Sequence, residues 1–386
     1  MSGRPELDGM RPTWAEIDLR AFDRNVATIV SRLPEESRLI AVLKANAYGH
    51  GAVELAKRLD DRVAMIAVIL LEEALELRRD GITHPILILG PLTETQVTIA
   101  VENDITIGVP GPEVLESVAR VARDREVHVH LKLDSGMGRM GIIEDELPAV
   151  ADLLRDTPNI RLDALYTHLA NAGDRRDPFA EEQVARFRTL VATLREAGIS
   201  APLHHVANSA GTIRGSMTAG DYVRVGIWLY GAEPMDHEHA RLEPVLRWRT
   251  AIMRLKELPP GHAVGYGMTF YTKRASRIAT LPVGYADGYS RLLSNKGEVL
   301  VRGRRAPVVG RVSMDLVTID VTDIAEAGVG DEVVLLGRQG PEEIAAEELA
   351  AKVDTIQYEV LCNVGSRVPR VYLDGQTVVN VRSRFE

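Results

Sequence analysis

Lys44 stands in the run AVLKANAYGHG (41–51), at the end of an apolar stretch, Leu39–Leu43. Small, polar and glycine residues follow at once, with Tyr48 four places on. A charged amine at the end of a buried strand costs free energy unless something uses it. Partial burial lowers a lysine's pKa, and the neutral amine is a nucleophile able to form a Schiff base. Taken alone, the same lysine is explained as a side chain keeping its head in water at a strand end.

A second cluster lies in EVHVHLKLDSGMGRMG (126–141). Val127, Val129, Leu131 and Leu133 alternate with Glu126, His128, His130, Lys132 and Asp134. Strand periodicity sends these two sets to opposite faces, the polar one with Lys132 inward if the strand lines a barrel. The glycines after it permit close backbone approach to a ligand and carry Arg139. Further on come THLAN with His168, HHVANSAG with His205, Asn208 and Ser209, and VRVGIWLYG with Arg224, Gly226 and Ile227. The histidine pair invites a metal, but no further ligand stands at a spacing that a zinc or iron site needs, so no metal is expected.

These residues need a frame that brings strand ends together. Short apolar strands are expected at Leu39–Leu43, Ala64–Leu70, Ile86–Leu89, Ile105–Val109, Val127–Leu133, Leu162–His168, His204–Ala207 and Tyr222–Val225. Helical patterns such as LEEALELRRDG and PFAEEQVARFRTLVATLREAG lie between strands and end in glycine, a stop signal. Eight strands with intervening helices indicate an α/β fold, a (β/α)₈ TIM-like barrel, over 14–246. Such barrels place chemistry at the C-terminal strand ends, where these residues fall. After Leu246 the texture changes to short β-rich runs between Gly and Pro turns, such as GEVLVRG and DEVVLLG. Residues 247–386 therefore read as a separate all-β domain, to which residues 1–19 are expected to lend a strand.

The 386 residues suffice for two cores, and 45% hydrophobic with 26% charged residues is ordinary globular composition. A net charge of −9 argues against nucleic acid as partner. The N-terminus shows no apolar signal segment, and the longest apolar run, Val63–Leu71, is too short to span a bilayer. Cys362 is the only cysteine, so a cytoplasmic location is expected, and its apolar setting, VLCNV, reads as buried packing.

A lysine nucleophile, several cations and glycine loops after the last barrel strands, where phosphate commonly binds, together describe a phosphate-bearing carbonyl cofactor. Pyridoxal 5′-phosphate fits. At this point the chain resembles the alanine racemases over essentially its whole length. The resemblance rests on AVLKANAYGHG, KLDSGMGRMG, THLAN, HHVANSAG and VRVGIWLYG. It continues through AVGYGMTF (263–270), GYADGYSR (284–291), GRVSMD (310–315) and YEVLCNVGSRVPR (358–370). Ser135 and Val225 depart from residues common in the family, as do Gly265 and Met268 around the tyrosine.

The resemblance implies a role for each matching position. Lys44 would carry the cofactor and act as one catalytic base, with Tyr266 the other base on the opposite face. Arg139 and the Met314 backbone would bind the substrate carboxylate. Tyr48, Ser209, Gly226, Ile227 and Tyr358 would hold the phosphate. Arg224 would face the pyridine nitrogen, with His168 beside it. Lys132 would be the position carbamylated in many members, and Tyr285 would line the entrance. The implied reaction interconverts L- and D-alanine for peptidoglycan synthesis, in a homodimer with shared active sites. A racemase of broader or serine specificity, a non-enzymatic protein that binds the same cofactor, and a decarboxylase of the same barrel-plus-β-domain type are the alternatives. The second is disfavoured because such proteins lack the trailing β domain.

Overall fold

The computed structural model describes residues 9–215, 220–234 and 242–384. The chain divides into two compact units. One comprises residues 23–47 and 52–242. The other comprises the chain up to Phe22, Tyr48–Gly51 and everything from Glu243 onward.

Strand β1 (Thr13–Asp18) belongs to the second unit. The first unit is a closed barrel of β2 (Arg38–Val42), β3 (Val63–Val68), β4 (Ile86–Ile88), β5 (Ile105–Val109), β6 (Val127–Lys132), β7 (Ile160–Tyr166), β8 (Leu203–His205) and β9 (Tyr222–Val225). Each strand pairs in parallel with the next, and β9 closes on β2 from Arg38↔Tyr222 to Ala41↔Val225. Strands covered on both faces read as continuous apolar runs, and β3, VAMIAV, is buried at every position. The outer helices are amphipathic. Phe179–Glu196 buries Ala180, Val184, Phe187, Val191 and Leu194, spaced three and four apart. It stops at Gly198, φ +81°, where Ile199 N–H reaches back to the Leu194 carbonyl at 2.9 Å. Gly108 in β5 is required by close approach: a Cβ there would stand 2.5 Å from the Ile88 carbonyl and 3.0 Å from the Tyr166 hydroxyl.

The second unit is built on an antiparallel-rich sheet. Its strands are β10 (Leu246–Ala251), β11 (Arg254–Leu258), β12 (Ala263–Val264), β13 (Phe270–Tyr271), β14 (Ser276–Leu281), β15 (Glu298–Val301), β16 (Arg304–Pro307), β17 (Val317–Asp320), β18 (Glu332–Gln339), β19 (Glu342–Ile344), β20 (Arg370–Asp374) and β21 (Thr377–Arg382). The main sheet runs β16-β15-β18-β10-β1-β20-β21, with β19 on β18. Strand β1 thus sits inside the sheet, antiparallel to β10 and parallel to β20. Residues 1–8 of the N-terminal segment lie outside the described residues. The buried hydroxyls of Thr13 and Thr250 meet at 2.8 Å across the β1–β10 pair. A smaller sheet, β11-β14-β17, the hairpin β12-β13 and the helices Ala346–Lys352 and Gln357–Cys362 also belong to the unit. No helix among the described residues is long and apolar enough to cross a membrane.

Candidate active site

Lys44 follows β2 and is half-buried. The chain beyond it winds the wrong way for L-residues. Ala45, Asn46, Ala47 and Tyr48 all have φ between 52 and 53°. A left-handed turn of non-glycine residues costs about 1–2 kcal/mol per residue, and such strain persists only where surrounding bonds impose it. Here the Ala45 N–H donates to Glu73 Oε1 at 2.6 Å, and the Ala47 N–H to the Leu43 carbonyl at 2.7 Å. The Ala52 N–H donates to Asn46 Oδ1 at 2.8 Å. The turn sets the direction in which the chain leaves the Lys44 strand end.

On β6 the inward set begins at His130, which is buried, as is Lys132. His128, one step toward the N-terminal rim, is instead exposed and bonds Asp163 at 2.7 Å. The loop after β6 is organised by Asp134, whose carboxylate accepts from the backbone N–H groups of Gly136, Met137 and Gly138 at 2.8–3.2 Å. That bonding shapes the loop carrying Arg139, which is exposed. The Lys132 amine makes no hydrogen bond or ion pair with the described residues. Burial lowers its pKa to about 8, and the charges of Arg139, Arg224 and Lys44 push the same way, with Asp134 opposing.

Arg224 on β9 is buried at 3% exposure, and burial lowers its pKa to about 10. Every hydrogen-bond partner it has among the described residues is neutral. One terminal nitrogen donates to Nδ1 of His205 at 2.7 Å and to the His205 carbonyl at 3.0 Å. The other donates to the Thr167 carbonyl at 2.6 Å, with Val206 O and His168 Nδ1 at 3.2 and 3.3 Å. Only the Nε–H makes no hydrogen bond within the described residues. His168 is held well below its usual pKa, first by burial and then by Arg224, Lys132, Lys44 and Arg139. Ser209 accepts through its hydroxyl from the Gly226 N–H at 3.0 Å, which ties the loops after β8 and β9 together next to the buried Ile227.

Lys44, Arg139 and Arg224 therefore all act on Lys132, and these four cations on His168, at one end of the barrel. Among the described residues, Asp134 is the one carboxylate acting on the charge of Lys132. This donor set suits a polyanionic ligand, and an amine at a strand end suits one bearing an aldehyde. Pyridoxal phosphate fits it.

In the second unit, the rings of Tyr48 and Tyr358 lie 6.1 Å apart, and burial raises the Tyr358 pKa to about 12. Tyr266 lies in the β12–β13 connection and is 74% exposed. Met314 and Tyr285 are also exposed. Backbone bonds join their loops: Tyr285 N–H to Ser313 O and Ala286 N–H to Met314 O, both at 3.0 Å. Asp287, fully buried, anchors this arrangement through Arg11 at 2.8 and 2.6 Å and the Gly284 N–H at 3.0 Å.

Residues 17–234 match the family model for the alanine racemase N-terminal domain, and 245–372 that for the C-terminal domain. The chain belongs to the alanine racemase family. It is 43% identical over 367 residues to the alanine racemase of Halothermothrix orenii, covering 94% of this chain and 97% of that one. That of Symbiobacterium thermophilum is also 43% identical, with 95% and 98% coverage. Among solved structures, the alanine racemase from Bacillus anthracis with bound L-Ala-P superposes with a TM-score of 0.92 at 38% identity, covering 97% and 98% of the two chains. The biosynthetic alanine racemase of Pseudomonas aeruginosa gives 0.85 at 36% identity, with 94% and 100% coverage. The family is pyridoxal-phosphate-dependent.

Sequence reasoning missed the left-handed turn, since alanine carries no signal for positive φ, and it missed Asp287 as an anchor. It named His205 at a strand end without its bond to Arg224, which needed β8 and β9 side by side. One reading is corrected. Cys362 is exposed, because it ends the helix Gln357–Cys362, whose buried residue is Leu361.

Proposed function

We propose that this protein interconverts L-alanine and D-alanine with pyridoxal phosphate bound at the barrel strand ends, supplying D-alanine for cell-wall synthesis in the cytoplasm. The correspondence of both units to alanine racemases along the whole chain carries the reading. In this reading 14–246 carries the cofactor and 247–386 supplies Tyr266. Measuring racemisation over a panel of L-amino acids tests it. Alanine should react fastest. A faster rate with serine or a basic amino acid would replace alanine as the substrate, because one methylene-sized change in a pocket is worth only about 1–3 kcal/mol.

Enantiomers have equal free energy, so the residues need only lower a barrier that is the same height from either side. The cofactor, when bound, makes the substrate α-proton acidic by withdrawing electrons from that carbon. Lys44 takes or returns this proton on one face and the Tyr266 hydroxyl does so on the other. Arg139 and the Met314 N–H hold the carboxylate, so that the α-carbon stays fixed between the two bases. Ser209, Gly226, Ile227, Tyr48 and Tyr358 hold the phosphate. Arg224 donates to the pyridine nitrogen and has no proton to spare for it, and His168 stands beside it. Tyr285 lines the entrance.

Lys132 and Arg139 would place two cations at one mouth. A neutral Lys132 amine adding to carbon dioxide, with loss of a proton, gives a carbamate of charge −1 and turns that repulsion into an ion pair. A pKa near 8 leaves part of the amine neutral around neutral pH, and that part shrinks as pH falls. Crystals grown at pH 8 are expected to show branched density at the Lys132 tip that diminishes at acid pH. A bare ammonium at pH 8, bridged to Arg139 by an anion, would sink the assignment.

The exposed Tyr266, Met268, Tyr271, Tyr285, Leu292, Met314 and Leu316 all fall in the stretch 266–316 of the second unit. Bonds such as Asn295 Nδ2 to Thr269 Oγ1 at 3.1 Å and Gly310 N–H to Asn295 Oδ1 at 2.6 Å knit these loops together. So many exposed apolar side chains in one stretch of chain suit a partner, and two-fold pairing would give two equivalent sites built from both chains. Mixing Lys44→Ala with Tyr266→Phe under subunit exchange is then expected to return roughly half of normal activity per mixed dimer, since one of its two sites is intact. No recovery despite proven exchange would mean that both residues act within one chain.

A further inference from the structure

The bonds around Arg224 fix more than its position. A guanidinium only donates, so the nitrogen of His205 facing it, Nδ1 at 2.7 Å, must be a bare lone pair. A neutral His205 then carries its proton on Nε2. That nitrogen lies 3.0 Å from Nδ1 of His130, so the N–H donates there, and His130 carries its own proton on Nε2. The result is a one-way chain from β9 through β8 to β6, buried throughout. The Tyr166 ring stacks flat on His205, 4.6 Å between centroids with 4° between planes. Tyr222 approaches the His205 ring at 6.3 Å, and His204 adds its charge. Among the described residues no carboxylate acts on His205. Burial lowers His130 to about 3 and His205 well below the ordinary range, so both rings stay neutral at working pH.

We propose that His130 is a positioning residue for the reaction: by accepting the Nε2 proton of His205 it keeps that ring neutral with its Nδ1 lone pair on Arg224, and so aims the free Nε–H of Arg224 at the ligand with the guanidinium charge unneutralised. This rests on the reading of Arg224 as the residue facing the cofactor ring. The role calls for a neutral acceptor. A carboxylate in the place of His130 would draw a second proton onto His205, and an Nδ1–H would then oppose the Arg224 N–H, donor against donor. An apolar side chain would leave the His205 Nε2–H without an acceptor.

The isosteric pair His130→Asn and His130→Asp separates charge from shape, because Oδ1 of either stands near the place of Nδ1. In the cofactor-loaded protein, His130→Asn is expected to keep kcat within about threefold, whereas His130→Asp loses about tenfold or more with a smaller change in KM. The absorption maximum of the bound cofactor should shift in the Asp variant alone. Ring-nitrogen NMR of His205 should show a neutral, Nε2-protonated ring in the natural protein and in His130→Asn, and a doubly protonated one in His130→Asp. If the Asp variant fails to fold by thermal melting, His130→Leu decides. It should lower kcat further than His130→Asn and shift the same absorption. Equal kcat for Asn and Asp, a Leu variant indistinguishable from the natural protein, or an Nδ1-protonated His205 would overturn the proposal. An Arg224→Lys variant with unchanged cofactor absorption would instead refute the placement of Arg224. The His205 ring signals do not depend on that placement.

Discussion

Lys44→Ala is expected to abolish racemisation and covalent cofactor attachment together, with a rate loss on the order of 10⁴ from the missing proton carrier alone. Lys44 is held where a strand end meets a left-handed turn, a costly backbone that Glu73, Leu43 and Asn46 hold by hydrogen bonds. Strain of that sort at a strand end suits a residue whose aim matters. Borohydride reduction followed by peptide mass analysis reads the attachment point. The natural protein should carry the reduced cofactor on the peptide containing Lys44, and the variant should carry none. A variant that still yields a modified peptide would put the attachment elsewhere.

Tyr266→Phe is expected to cost roughly 10²–10⁴ in rate, the range for losing one positioned acid or base. Its more telling effect is asymmetry. With Lys44 intact, solvent deuterium should still enter the substrate from the face that Lys44 serves. One enantiomer should then exchange its α-proton far faster than the other, while cofactor attachment is unchanged. Equal loss of exchange from both enantiomers would remove Tyr266 as the second base. The hydroxyl is the only difference between the two side chains, and Tyr266 is 74% exposed in the single chain, so the substitution should leave stability nearly untouched.

Local pattern carried much of the architecture. Barrel strands are covered on both faces, so ILIL and VAMIAV betray themselves as apolar runs, while the alternation in VHVHLK marks a strand with a polar interior face. Helix ends at Gly81 and Gly198 were equally legible, because glycine is the residue that adopts their positive φ without cost. The change to turn-punctuated strands after Leu246 follows from the period of the hydrophobic pattern, a property of neighbours in sequence.

The sequence by itself determined the two kinds of fold, the order of the motifs and the candidate lysine, tyrosine and arginines, since each is written in residue type and short spacing. Only the tertiary structure decided what those residues touch. Alanines at 45 and 47 give no hint of φ +53°, which is imposed by bonds to Glu73 and Leu43. Nothing near His130 in the chain announces a bond to His205, 75 residues away, or that Arg224 would find neutral acceptors on every side but one. Nor does VLCNV reveal which side of its helix faces solvent at Cys362. These properties depend on which strands and loops become neighbours, and on how much water they exclude there. Both arise from contacts distant in sequence, where periodicity and propensity carry no information.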